Sequence, residues 1–455
     1  MPHIGLICPE LSGHLNPTLA LGRELRRRGH RVTLVGRLDG EDGARAAGVG
    51  FRAVGEGEFP RGSIHEMSAR LGTKSGLAAI RVTIAEFHRA TEMLLRDVPP
   101  ALESLGVDGL VVDQTSPAGM TVAEALGLPA VTLCSALPMN EEPGVPPLVT
   151  RWPYSPAWWA RLRNRAGYFA FHRATGPIIR GLNRQRAAWG LRPVRRRPEM
   201  HSQLALVAQL PAELDFPRRD LPPWFHYTGP LSDPSSRAAV EFPFDRLDGR
   251  PLVYASMGTL QNRQEHVFHA IAGACAGLDV QLVISRGRRG AEPTAALPGS
   301  PLVVPYAPQL ELLRRAALVI THAGMNTVLE SLAQGVPLVA VPITNDQPGV
   351  AARVAWSGAG EVVPLRKLSA ARLRTAVVRV LSRPSYRQHA ERLQAAIERS
   401  GGLVRAGEIA ELAIATGQPV LSGHVGRRPE DYPDDGAVPG GQAPEPRRAA
   451  PVPHG

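Results

Sequence analysis

Residues 321–347 read THAGMNTVLESLAQGVPLVAVPITNDQ, and they follow the apolar run ALVI. The pattern predicts a strand, then a turn through Thr321, His322, Ala323, Gly324 and Met325, then a helix beginning near Asn326 and Thr327, both good capping residues. Gly335 and Pro337 close that helix, PLVAVP returns as a strand, and Asp346 and Gln347 emerge after it. Ligands of doubly wound sheets bind beyond the carboxyl ends of the strands, and this stretch supplies two such ends in succession. The free N–H groups and dipole at the helix N-terminus favour an anion such as phosphate, with His322 as an added donor. Glu330, one turn in, suits a vicinal diol such as a ribose, and Asp346 and Gln347 suit sugar hydroxyls. A strand, Gly-rich turn and helix alone also serves plain packing. The conjunction of all these groups is what points to a nucleotide-sugar site.

The same alternation runs along most of the chain. In the first half, an apolar run from His3 to Cys8 is followed by the turn PELSGH and a helix for which Asn16 is the expected cap and Pro17 the first residue. HRVTLVG, GLVVD (ending at Asp113) and LPAVTL follow as strands, with TVAEALG as a helix. In the second half PLVYASMG, DVQLVIS, SPLVVPY and ALVIT read as strands, QEHVFHAIAGACAGL and PQLELLRRA as helices. The fold class expected is α/β, with two Rossmann-like doubly wound domains and parallel sheets covered on both faces. Their limits are placed at 1–225 and 249–418, with a Pro- and Asp-rich linker at 226–248. Residues 419–455 hold too few large apolar groups to offset the entropy of ordering and read as a disordered tail.

Composition narrows the classes of function. The 455 residues include three cysteines, Cys8, Cys134 and Cys275, too scattered for a disulfide framework or zinc site and expected to be buried. No apolar run is long enough to span a bilayer, and MPHIGLICPE lacks the features of a secretory signal, so the expected location is cytoplasmic. Residues 151–200 hold twelve arginines and one acid, Glu199, so the net charge of +11 resides in that window. No nucleic-acid-binding motif accompanies it, and no nucleic-acid partner is expected. Within it, WPYSPAWWARLRNRAGYFAF (152–171) interleaves aromatic residues with arginine. That is the make-up of an interfacial helix, and equally of an aromatic wall of a binding cleft or of plain core.

From Tyr306 to Gln347, YAPQ followed by THAGMNTVLE, GVP and DQ resembles the donor-binding signature of the family 1 UDP-dependent glycosyltransferases. The resemblance extends over about residues 1–418. It implies two Rossmann-like domains facing each other across a cleft (the GT-B fold), with the C-terminal helix crossing back onto the first domain. It assigns Tyr306 to stacking on the base, Gln309 to base or ribose, and Glu330 to the ribose. His322, Asn326 and Thr327 fall to the diphosphate, Gly324 and Met325 to the donor site beside them, Met325 through its backbone, Asp346 and Gln347 to the sugar, and Ser256, Gly258 and Thr259 to closure over the nucleotide. The plant form has Trp at the positions of Tyr306 and Met325; Tyr still stacks, so uridine stays favoured and a thymidine donor remains open. Gln347 resembles glucose users.

A glycosidic bond needs a hydroxyl nucleophile and a base to take its proton, work suited to His near neutral pH. His14, in the expected loop SGHLNP, and Asp113 both sit at carboxyl edges of one sheet, and the resemblance makes them the base and its partner. Attack from the far side of the sugar would invert the anomeric centre; the chain has no Asp-x-Asp pair, so no Mg²⁺ clamp and no resident cofactor are expected. THAGMNTVLE with DQPGVAAR, and ALPMNEEPGVPP at 136–147, look like bacterial carotenoid (zeaxanthin) glucosyltransferases. Partners implied are a UDP-sugar and a lipophilic acceptor, met by Asn140, Trp158 and Trp159, with peripheral membrane contact through 152–171. A macrolide, flavonoid or other natural-product alcohol is an alternative acceptor. A nucleotide-sugar epimerase of the same fold and a non-catalytic lipid-binding protein are the rival readings.

Overall fold

The computed structural model describes residues 1–74, 76–233, 240–260, 262, 264–287 and 296–423. The first half contains strands β1 (His3–Ile7), β2 (Arg31–Gly36), β3 (Gly50–Ala53), β4 (Gly109–Asp113), β5 (Ala130–Cys134), β6 (Leu206–Ala208) and β7 (Phe225–Tyr227). They pair, all parallel, in the order β3-β2-β1-β4-β5-β6-β7. Helices α1 (Ser12–Arg27), α2 (Glu41–Ala46), α3 (Ser63–Gly72), α4 (Gly76–Leu105), α5 (Pro117–Leu126) and α6 (Trp158–Ala188) cover the sheet. The second half contains β8 (Leu252–Ser256), β9 (Gln281–Ser285), β10 (Leu302–Val304), β11 (Ala316–Thr321), β12 (Leu338–Ala340) and β13 (Gly360–Val362), in the order β10-β9-β8-β11-β12-β13. Its helices are α7 (Glu265–Cys275), α8 (Gln309–Leu313), α9 (Met325–Leu332), α10 (Gln347–Ser357), α11 (Ala370–Ser382) and α12 (Pro384–Arg399), followed by α13 (Gly402–Thr416).

The apolar runs become strands because a parallel sheet covered by helices buries both faces; every residue of β1, β4, β5 and β8 is buried. In each sheet the strand order reverses once, between β1 and β4 and between β8 and β11. At such a reversal the chain leaves the two adjacent strands toward opposite faces, opening a crevice at their carboxyl ends. Asp113 ends β4 and His14 follows β1; Ser256 ends β8 and His322 follows β11.

Helix α13 returns to the first half, as the resemblance implied, packing Ala406, Ile409, Ala410 and Ala413 into the apolar cluster that holds Leu21 and Leu25 of α1. Strand β7 reaches Tyr227, two residues beyond the expected limit of the first domain. The beginning of the expected tail is ordered. Val420 is buried, its N–H donates to the Leu204 carbonyl, and its own carbonyl accepts from His226 Nε2. The remainder of the tail, from 424, lies outside the described residues. All three cysteines are buried thiols, as expected.

Two helix starts differ from expectation. Helix α1 begins at Ser12, because the N–H groups of His14 and Leu15 already turn back to the Leu11 carbonyl. His14 therefore sits in a helical first turn, and Pro17 lies inside the helix. Helix α9 begins at Met325 with Gly324 as its cap and no side-chain cap bond, so Asn326 and Thr327 are not caps and their side chains act elsewhere.

Candidate active site

The first reversal point carries a built acid–base pair. His14 Nδ1 lies 3.1 Å from Asp113 Oδ2 and 2.8 Å from Ser135 Oγ, and Ser135 also donates to Asp113. The N–H and hydroxyl of Thr115 bond the other carboxylate oxygen at 2.8 and 2.5 Å. Burial opposes charge on Asp113, but His14 and these three donors outweigh it and hold its pKa below the ordinary value. Burial likewise pulls His14 down, yet the Asp113 charge and hydrogen bond, with Asp346 beyond, leave its pKa raised. The His14 side chain keeps 16% exposure, enough for a hydroxyl in the cleft to reach it, whereas Asp113 is sealed behind it. Ser135 was not foreseen; its place just after β5, at the same carboxyl edge, was the available signal.

The second reversal point brings together the residues expected from 321–347. The His322 ring is packed between two glycines: a Cβ on Gly258 would lie 2.5 Å from its Cε1, and one on Gly324 2.5 Å from its Nε2. Only residues without a side chain fit there. Burial pushes the His322 pKa down to about 4, a hydrogen bond with the Ser256 backbone offsetting only part of it, so the free site holds a neutral imidazole. Ala323, fully buried at φ 65°, and Asn345 at φ 57°, just before Asp346, are left-handed non-glycine residues. Such backbone strain persists where surrounding structure over-determines it, and here it aims the first turns of α9 and α10 at one crevice. Deeper in, Gln309 Nε2 donates to Glu330 Oε2 at 2.7 Å and its Oε1 accepts from Tyr254 OH at 3.3 Å, which fixes the carboxylate at the cleft wall. Gln347 Oε1 accepts from the N–H groups of Ile343 and Thr344 at 2.9 and 3.0 Å, so part of its role is to hold its own loop.

Asn326 joins the two centres. Its Nδ2 donates to the Gly13 carbonyl at 3.2 Å, and its Oδ1 accepts from Gln209 Nε2 at 2.8 Å. The Gly13 carbonyl lacks its helical donor because residue 17, four positions on, is a proline without an N–H. The unexpected position of Pro17 thus leaves an acceptor that the other half uses, one residue from His14. Gln209, buried and also donating to the Ser135 carbonyl, is a contact that no local pattern announces.

One cavity of about 810 Å³ holds His14 and the whole donor set: Ser256, Gly258, Thr259, Tyr306, Gln309, His322, Gly324, Met325, Asn326, Thr327, Glu330, Asp346 and Gln347. On the side of the first half its walls are mostly apolar, with Met67 and Leu71 of α3, Ile84 and Phe87 of α4, and Phe171 and Ile178 of α6, beside Thr83, Glu86, Thr175 and Arg197. The expected acceptor residues are not among its walls. Trp158 and Trp159 are 73% and 50% exposed at the outward-facing start of α6, and only the helix beyond Phe171 turns into the cavity. Asn140 does not line it either; its backbone carbonyl accepts from Arg218 Nη1. Among the described residues no three His, Cys, Asp or Glu side chains gather to hold a metal ion.

The cleft is locked by a buried ion cluster. Asp215 Oδ1 accepts from Arg353 Nε of α10 at 2.7 Å; its Oδ2 accepts from Arg218 Nε and Tyr227 OH, both at 2.9 Å. Burial would raise the Asp215 pKa, but the two guanidiniums hold it down at about 2. This anchors α10, and with it Asp346 and Gln347, against the first half.

Two doubly wound sheets whose reversal points share one cleft, one lined by His322 and the first turn of α9 and the other by the His14–Asp113 pair, have the architecture of a nucleotide-sugar-dependent glycosyltransferase of the GT-B type. Residues 79–398 match the model of the family described as UDP-glucoronosyl and UDP-glucosyl transferase, and the chain belongs to that family. It is 35% identical over 426 residues to the zeaxanthin glucosyltransferase of Pantoea ananas, a match covering 93% of this chain and 98% of that one. The zeaxanthin glucosyltransferase of Pseudescherichia vulneris is 33% identical over 424 residues, with 92% and 100% covered. Among solved structures, the glycotransferase of kitacinnamycin superposes with a TM-score of 0.73 at 22% identity, covering 91% of this chain and 99% of that one. CalG4, the calicheamicin glycosyltransferase, gives 0.70 at 23% identity, with 92% and 100% covered. At that identity the structural likeness bears on the fold. The protein is thus an enzyme that transfers a sugar from a nucleotide-sugar donor.

Proposed function

We propose that the protein transfers glucose from UDP-glucose to a hydroxyl of a carotenoid such as zeaxanthin, with inversion and without a metal ion. Tyr306 stacks on the uracil, Gln309 and Glu330 hold the ribose, and the first turn of α9 meets the diphosphate. Gly258 and Gly324 let the phosphates approach His322, whose neutral ring takes up a proton as the anion arrives. Asp346 and Gln347 hold the glucose hydroxyls. The acceptor lies in the apolar end of the cavity, its hydroxyl toward His14.

In a single displacement the acceptor oxygen bonds to the anomeric carbon while the bond to the phosphate oxygen breaks, its electron pair leaving on UDP. The acceptor proton passes to His14, and Asp113 stabilises the imidazolium. A base of this kind contributes roughly 10²- to 10⁴-fold in rate, and the helix N-terminus with His322 steadies the leaving charge in place of a metal.

What supports this reading most is the placement of the His14–Asp113 pair, 3.1 Å apart, in the same cavity as the donor cradle. An epimerase keeps its sugar in one site and needs neither a base directed at an acceptor nor an apolar acceptor chamber. The zeaxanthin glucosyltransferases named above support the choice of acceptor. The test is mass analysis of zeaxanthin incubated with the protein and UDP-glucose in lipid vesicles. Addition of one hexose is expected. UDP-glucose binding without addition, while a macrolide or flavonoid is glycosylated, would overturn the carotenoid assignment.

A further inference from the structure

The outward face of α6 has no role in the transfer just described. Trp158, Leu162 and Phe169 are 73%, 53% and 67% exposed, among the few large apolar side chains so exposed in the described residues. At 3.6 residues per turn these three, four and eleven positions apart, fall on one stripe. Arg161 and Arg165 border the stripe and Arg173 continues it. None of these arginines forms an ion pair among the described residues, and the nearby carboxylates are already taken: Glu141 by His172 and Arg197, Glu92 by Arg184. Exposed apolar groups flanked by uncompensated guanidiniums are the pattern of a helix lying in the interface of a negatively charged bilayer. Among the described residues no helix is long and apolar enough to cross a membrane, which leaves the surface as the mode of contact for this face.

The opposite face of the same helix carries Phe171, Thr175 and Ile178 into the cavity. A volume of about 810 Å³ is the size of a site for one drug-sized ligand, and here it receives a nucleotide sugar as well as the acceptor's reactive end. A long apolar acceptor therefore leaves much of its length outside the protein, where water would oppose it and lipid would not.

We propose that this face of α6 seats the protein on an anionic lipid bilayer, with the acceptor drawn from the bilayer past the same helix. The delivery rests on the lipophilic-acceptor reading; the docking stands on the surface alone. The test is co-sedimentation of the full chain with phosphatidylcholine vesicles, with and without phosphatidylglycerol. The protein should sediment only with the anionic vesicles, and less as salt is added.

In the variant Arg161→Gln/Arg165→Gln/Arg173→Gln binding should fall on the order of a hundredfold, from about fivefold per arginine near a charged surface. In Leu162→Ser/Phe169→Ser it should fall roughly tenfold or more. Thermal unfolding and UDP-glucose affinity should match wild type in both, showing that fold and donor site are intact. Failure of the wild type to sediment with anionic vesicles, or unchanged sedimentation of both variants, would overturn the proposal. So would a dimer that Leu162→Ser/Phe169→Ser dissociates, which would make the face a contact between copies. Vesicle binding without transfer to zeaxanthin would uphold the docking and refute the acceptor.

Discussion

Replacing Asp113 by Asn keeps the shape of the His14 environment and removes its charge. In the wild type His14 titrates above its ordinary value, because Asp113 and Asp346 outweigh burial. With His14 as the proposed base, transfer needs a neutral imidazole, so the rate should rise with pH through that raised value. Without the carboxylate, burial dominates and the pKa falls. A hydrogen bond to a charged partner is worth about 1.5–3 kcal/mol, which corresponds to a downward move of roughly one to two pH units in the acid limb of kcat/KM. The same loss of imidazolium stabilisation should lower kcat about 10- to 150-fold.

The stability linkage has a definite sign. The raised His14 pKa contributes stability fully present below about pH 6.5 and lost as pH rises through the higher folded value, and Asp113→Asn should lack that contribution. The assay is UDP release between about pH 5 and 9, with saturating acceptor. An acid limb that stays in place or moves upward in Asp113→Asn would refute the reasoning.

Four further outcomes follow from named contacts. Gly324→Ala should weaken UDP-glucose binding about tenfold or more, since its Cβ would lie 2.5 Å from His322 Nε2; calorimetry reads it. UDP-glucose binding at near-neutral pH should take up protons, because His322 is held near 4 when free and the bound diphosphate raises it, so affinity should fall as pH rises. Buffers of different ionisation enthalpy measure this uptake, which His322→Ala should abolish. Asp215→Asn should destabilise by about 3–5 kcal/mol, leaving Arg353 and Arg218 buried without their anion. In the wild type, the Asp215 contribution is present above about pH 4 and should be lost as pH falls through the folded value of about 2, as acid denaturation would show. Gly349→Ala should also loosen α10 against the first half, as its Cβ would meet the Leu148 carbonyl at 2.2 Å, and thermal unfolding should report it.

The strands were legible because a sheet buried on both faces writes itself as short unbroken apolar runs, and GLVVD, LPAVTL and ALVIT are such runs. The gathering of His322, Glu330, Asp346 and Gln347 at one cavity was legible because 321–347 carries them on consecutive elements. Helix starts were harder. Pro17 resembled a first-turn proline, but the helix had already begun at Ser12, the N–H groups of His14 and Leu15 turning back to the Leu11 carbonyl. Asn326 and Thr327 resembled caps, but partners far along the chain, Gly13, Gln209 and Gln309, claim their side chains. Ser135 and Gln209 became visible only when β5 and β6 came together at one sheet edge. Trp158 and Trp159 were drawn toward the acceptor by their aromatic character, though helical rotation decides which side of α6 meets the cavity. Helix α4, with Pro99 and Pro100 inside it, went unread, and of α6 only the stretch to 171 was singled out, with an interfacial helix, a cleft wall and plain core left open.

The central claim is a division of labour, His14 acting on the acceptor and Glu330 on the donor. Its most direct test is UDP-glucose affinity by calorimetry beside single-turnover transfer, in His14→Ala and Glu330→Ala. His14→Ala should bind the donor as the wild type does while losing roughly 10²- to 10⁴-fold in transfer, and Glu330→Ala should lose donor affinity. Equal loss of donor affinity in both variants, or undiminished transfer by His14→Ala, would contradict the account.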